Sequence, residues 1–288
     1  MKFKVIFIAF NLIILFSFLF IFFMPVIVLG WEYSELFWSN NWLLAVVFVI
    51  IIGALNLYFG LNWRLFSLLE KEDWPGLIQH LEKKVYERNR VTKQNVRILI
   101  NAYVVTANTS AVERLESHVR AQSDGLLRHF ALEFGVPRLL RNDPVEMEHY
   151  FGELVAADHV RNANWIKWNH AFALMTLRKN EDAKKTLSEL IEEVDNPVLL
   201  VLTLYLLDAY TGGEDELARK LEEKKKWFRE KHDARRWERE LEKSRGNLQV
   251  LVLSRLLEDA TQKLFPDLAT AGATRRAIVG DSGAAGGA

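Results

Sequence analysis

The residues able to do chemistry are few and scattered. Gly280-Asp281-Ser282-Gly283 sets a serine between glycines. A nucleophilic serine needs a base within hydrogen-bond reach and a rigid oxyanion pocket. Here it stands in a run of small residues, and the motif is set aside as coincidence. Seven histidines are spread along the chain. His129 and Glu133, and His149 and Glu153, have the i,i+4 spacing that puts two ligands on one helix face, but each pair lacks a third ligand and no HExxH occurs. Glu192-Glu193 belongs to a solvated face. There is no Walker sequence and no GxGxxG. The chain contains no cysteine, which excludes a thiol nucleophile, a Cys-ligated metal and a disulfide framework. No cofactor, metal or small-molecule substrate is expected, and no enzymatic activity.

The strongest local charge pattern is Lys224-Lys225-Lys226 with Arg229, Lys231, Arg235, Arg236 and Arg239, interleaved with Trp227, Phe228 and Trp237. Such a stretch suits anionic lipid or nucleic acid. Glu222, Glu223, Glu230, Glu238 and Glu240 nearly cancel its field, so a solvated helix face is the expectation. Over the whole chain 37 Lys and Arg balance 37 Asp and Glu, and no global basic field calls for nucleic acid.

The elements that would carry these residues fall into two parts. Val5 to Leu29 and Trp42 to Phe59 are free of charge, each near the length that crosses a hydrocarbon core. The short stretch between them carries Glu32 and Glu35 but no Lys or Arg. Lys2, Lys4, Arg64 and Lys71 flank the outer ends. By the positive-inside rule the N-terminus and everything after Trp63 lie in the cytoplasm, and the loop lies across the membrane. Trp31, Tyr33, Trp38 and Trp42 suit the far interface; Tyr58 and Trp63 suit the near one. Residues 1–63 are thus expected to form a two-span hairpin that acts as an anchor. Pro25 kinks or ends its first span.

From Arg64 the apolar residues recur at three- and four-residue spacing, which predicts helices throughout. The set Leu77, Val112, Met147, Ala183 is spaced by 35, 35 and 36 residues, and Lys84, Val119, Leu154, Leu190 keep step. The register is imperfect: Glu116 stands where the other units have Leu81, Phe151 and Leu187. In the best unit, Trp165, Trp168, Ala171 and Phe172 precede Ala183, Leu187, Leu190 and Pro197. This resembles the tetratricopeptide repeat (TPR) family over roughly Asp73 to Tyr210. Asn169 departs from it, standing where a small residue is usual.

The resemblance implies an all-α fold. Behind the hairpin it places a TPR-like α-solenoid over 64–265, with a long charged C-terminal helical cap and a disordered tail at 266–288. PVLLVLTLYLLDAYTGG is expected as a buried helix ended by Gly212 and Gly213. The function implied is a membrane-anchored scaffold that binds a protein partner, a peptide or helix in the solenoid groove, at the cytoplasmic face of a bacterial inner membrane. Asn101, Tyr103, Asn164, Lys167 and His170 on first helices are the expected partner-binding residues. Two alternatives stand beside it. One is an assembly or regulatory subunit that binds through its hairpin; the other is an enzyme-associated membrane protein of the same architecture.

Overall fold

The computed structural model describes residues 3–210 and 215–268. These are 84% helical, and no strand occurs among them. The helices are α1 (Phe3–Leu29), α2 (Trp31–Glu70), α3 (Trp74–Glu82), α4 (Lys93–Val105), α5 (Thr109–Gln122), α6 (Asp124–His129), α7 (Ala131–Arg141) and α8 (Pro144–Val155). They continue with α9 (Ala163–Thr176), α10 (Asn180–Glu193), α11 (Pro197–Asp208), α12 (Asp215–Lys231), α13 (Ala234–Ser244), α14 (Leu248–Val252) and α15 (Ser254–Leu264). A π turn, Lys83–Glu87, follows α3. Packing divides the chain into two units, Met1–Ala102 and Tyr103–Ala288, with the boundary inside α4. The expected tail beyond Leu268, Gly212 and Gly213, the 280–283 motif and the side chain of Tyr33 lie outside the described residues.

In the first unit α1 and α2 pack along each other. Phe18 stacks on Phe48 with ring centroids 4.9 Å apart, and Phe7 meets Phe59 edge-on at 5.3 Å. The stretch expected as a loop, residues 31–41, is helical instead. Gly30, at φ 84°, makes the reversal alone, and α2 starts at Trp31. The polar side chains in this stretch do not break the helix because they bond within it: Ser39 donates to Leu36 O and Asn41 to Phe37 O, each at 2.9 Å. The one departure is a kink at Asn41, φ −121°. Pro25 lies within α1, which continues to Leu29.

In the second unit the helix starts are set by local sequence. Asp143 accepts from the backbone N–H groups of Val145 and Glu146, Asn196 from those of Val198 and Leu199, and each is followed by a proline at the first helical position. The same capping starts α5 at Asn108, α13 at Asp233 and α14 at Asn247. α7, α8, α9, α10 and α11 pack in succession. The periodic positions Val112, Met147 and Ala183 are buried there, as Leu77 is in the first unit. α11 is apolar nearly all round and touches α9, α10, α12, α13 and α15, as a core helix does.

The C-terminal segment departs from a single long cap. It breaks at His232-Asp233, where Asp233 caps α13, and it then folds back. α14 packs on α7, and α15 on α11. In a solenoid each repeat touches its neighbours only. Here Gln249 of α14 donates to Asn169 Oδ1 of α9 at 2.7 Å, with both side chains buried. Asn169, the departure from small residues, is the seat of the returning segment.

Candidate interaction surface

Of the five expected partner-binding residues, the structure brings two together. Lys167 pairs with Glu193 Oε2 at 2.6 Å, and Asn164 donates to the Glu193 carbonyl at 3.4 Å. Both therefore hold the end of α10 against α9, and both remain partly exposed. His170 faces α8 instead. Its Nε2 stands where a Cβ on Gly152 would come within 3.1 Å. Burial and then Lys179 lower its pKa, against the pull of Glu148 and Asp182, so the imidazole is held toward its neutral form. Tyr103 is fully buried and has no surface to offer a partner, which corrects its assignment. Its ring is core because the apolar positions on α4 run through it. Asn101 is exposed and falls in the first unit.

The other candidate groups are engaged in pairs. Glu192 holds Lys224 at 2.6 Å, Glu153 holds Arg120 at 3.4 Å, and Arg161 donates to His129 Nε2 at 2.9 Å. Among the described residues no group of three or more His, Asp or Glu is placed to hold a metal ion. The basic and aromatic stretch is likewise used internally. Lys225 reaches Asp208 at 2.9 Å and Glu222 at 2.8 Å, and Lys231 lies 4.3 Å from the centre of the Trp227 ring. Arg229 donates to the Leu264 carbonyl at 3.0 Å. Burial alone would push Asp208 up, yet Lys263 and Lys225 outweigh it and hold the carboxyl below its ordinary value. This stretch joins α11, α12 and α15.

One site that sequence reasoning missed is the set around Glu116. Its carboxylate is buried and takes Arg138 at 2.8 Å and Arg120 at 3.2 Å. The Arg138 guanidinium lies 4.1 Å from the centre of the Tyr150 ring, whose hydroxyl donates to the Ala131 carbonyl at 2.7 Å. Burial holds the Tyr150 hydroxyl well above its ordinary pKa. The signal was present: Glu116 breaks the periodic register where the other units have Leu81, Phe151 and Leu187. It is a charge-paired tie between α5, α7 and α8, with an arginine on each carboxylate oxygen.

Residues 111–266, more than half of the chain, match the model of a family described as "Uncharacterised Treponema protein". A protein of Treponema pallidum (strain Nichols), described as "Uncharacterized protein", is 29% identical over 233 residues, covering 77% of this chain and 74% of that one. No solved structure matches. These findings overturn the resemblance to tetratricopeptide repeats. The 35-residue period records the length of consecutive helix pairs, which any array of such pairs shares, and the fold-back of α14 onto α7 is foreign to a nearest-neighbour stack.

Proposed function

This chain belongs to the family described as uncharacterised Treponema proteins, and from its architecture we propose that it is a membrane-anchored helical protein that binds a protein partner at the cytoplasmic face of a bacterial inner membrane. The observation that carries this reading is the hairpin. The most apolar 18-residue windows within Phe7–Val28 and Ser34–Glu70 have mean hydropathies of 2.7 and 2.5, and none of either window is buried by the protein itself. Apolar surface on that scale is far larger than the exposed patches that soluble monomers carry. Lipid is the cover that suits it, with each backbone amide satisfied inside a helix. The distribution of Lys and Arg supports the orientation, since none occurs between Val5 and Trp63. The unit from Tyr103 then lies on the inner side, where Asn164 and Lys167 of α9 offer polar, partly exposed groups to a partner.

The anchoring reading is favoured over binding through the hairpin by one detail. Its two part-buried amides, Asn11 and Asn56, bond each other rather than pointing toward lipid. Exchange of residues 1–63 for an unrelated two-span hairpin separates the two. Partner capture, read by crosslinking in native membranes, is expected to survive the exchange; its loss would favour the hairpin as the binding element. A cytoplasmic reporter fused after Ala288 is expected to be active. Digestion of the region past Arg64 by protease added outside intact cells would overturn the topology.

A further inference from the structure

α2 leaves its charge-free stretch at Arg64, the first charged residue after Glu35. α3 packs back on α2. Where Arg64 meets α3 and the π turn lies a cavity of about 460 Å³, lined by Arg64, His80, Lys83 and Tyr86 together with Glu82 and Glu87. Arg64 and Lys83 balance Glu82 and Glu87 in the lining itself, and the excess of positive charge comes from Lys84 and Arg88, which act on His80 from beside it. From Lys83 to Arg97 there are six Lys and Arg and one acidic residue, Glu87, in a chain that is neutral overall. Lys83 and Glu87 pair only loosely, at 3.9 Å with both ends exposed. The second unit does the opposite, tying Lys225, Arg138 and Lys167 to carboxylates at 2.9 Å or less.

The crowding has an electrostatic signature. Burial and then Lys84, Arg64 and Arg88 lower the His80 pKa. Burial and then Arg90 and Arg88 lower that of Lys84. Both groups are disfavoured as cations by their neighbours, and an anion is what would relieve them together. Since Arg64 follows the charge-free stretch of α2 and α3, with the π turn after it, packs on that helix, the anions at hand are lipid headgroups. The cytoplasmic leaflet attracts juxtamembrane cations on these grounds.

We propose that the cavity at Arg64, His80 and Lys83, with Lys84 and Arg88 beside it, holds the phosphate of an anionic phospholipid headgroup. This rests on the membrane reading above. The chemistry it recognises, a phosphate ester, is shared by free phosphate, and the position beside the span selects the lipid.

The test uses the full chain in mixed micelles with equimolar phosphatidylglycerol and phosphatidylcholine, with bound lipid counted by native mass spectrometry. The wild type is expected to retain the anionic lipid preferentially, and each cation removed, in Lys84→Gln and Arg88→Gln, to lower that preference about fivefold. Lys83→Gln, at an exposed position that cannot unfold the chain, gives the same direction, and Lys84→Arg keeps the preference. Equal retention of the two lipids by the wild type, an unchanged preference in Lys83→Gln and Arg88→Gln, or displacement of the lipid by inorganic phosphate would overturn the inference. Failure of the membrane reading is distinguishable, because the chain would then leave the membrane fraction on alkaline washing.

Discussion

Asn56 donates its side-chain amide to Asn11 Oδ1 at 2.8 Å, tying the two helices of the hairpin together toward the end where Phe7 meets Phe59. Each amide also donates four residues back along its own helix, Asn11 to Phe7 O at 2.9 Å and Asn56 to Ile52 O at 3.0 Å. Interhelical bonds of this kind contribute about 0.6 kcal/mol on average, up to about 1.7. Asn11→Leu and Asn56→Leu are each expected to loosen the hairpin by that order. The double variant should cost about as much as either alone, since both remove the same bond. Helicity followed through a detergent titration measures this; strict additivity would show that the bond does not form.

The ion set around Glu116 gives a sharper expectation. Removing the carboxylate leaves Arg138, largely buried, without its partner. Glu116→Ala is expected to destabilise the domain by about 3 kcal/mol, whereas Glu116→Leu combined with Arg138→Met recovers most of that loss. Urea unfolding followed by tryptophan fluorescence reads both. A single variant with wild-type stability would remove Glu116 from the account of how α5, α7 and α8 are held.

Gly135 of α7 lies against the Phe151 and Tyr150 rings of α8. A Cβ there would come within 2.5 Å of the Phe151 ring. Phe151 is fully buried and packed edge-on against Tyr150, with little room to yield. Gly135→Ala is expected to cost about 1–3 kcal/mol, against the gain that alanine normally brings to a helix. A raised melting temperature in this variant would contradict the packing.

The Asn169–Gln249 bond tests the fold-back. Each amide keeps one buried polar atom without a protein partner, Asn169 Nδ2 and Gln249 Oε1. Asn169→Ala leaves the Gln249 side chain entirely unsatisfied and is expected to cost about 1–3 kcal/mol. Asn169→Leu with Gln249→Leu should come close to wild type, because no buried polar group is then stranded. Protease sensitivity of α14 rising in the first variant and not in the second is the expected pattern.

Acid should weaken the fold through its histidines. His80, His170 and His232 all have pKa values lowered by burial from the ordinary value of 6.5. Around His232, Arg236 and Lys231 act with burial, while the Phe228 carbonyl and Glu240 act against it. The unfolded chain takes up these protons near pH 6.5, the folded chain only at lower pH. Stability is thus level above that point and falls as pH drops through it. His170→Gln is expected to flatten part of that slope in thermal melts between neutral and mildly acidic pH. An identical slope in the variant would assign the effect to other groups.

The hairpin and the helical character of the chain beyond Arg64 were legible because both rest on local pattern: charge-free length in one case, three-and-four spacing in the other. The helical state of residues 31–41 was not, since polar residues between two apolar runs look like a loop until Ser39 and Asn41 are seen bonding to their own helix. The burial of Met147 and Ala183 accords with their periodicity. That of Tyr103 was misjudged because helix phase shifts by about 100° for each residue of error. Asn169 and Gln249 lie 80 positions apart, and nothing local in either points to the other.

The kink at Asn41 leaves a straight run from Trp42 to Glu70, about 44 Å at 1.5 Å per residue. That exceeds a hydrocarbon layer of about 30 Å, so in the proposed membrane setting the helix would protrude as a stalk on which α3 is mounted. A change in bilayer thickness alters the tilt of such a span. The α3 end of that stalk would swing with it, which would couple the physical state of the lipid to the position of α3.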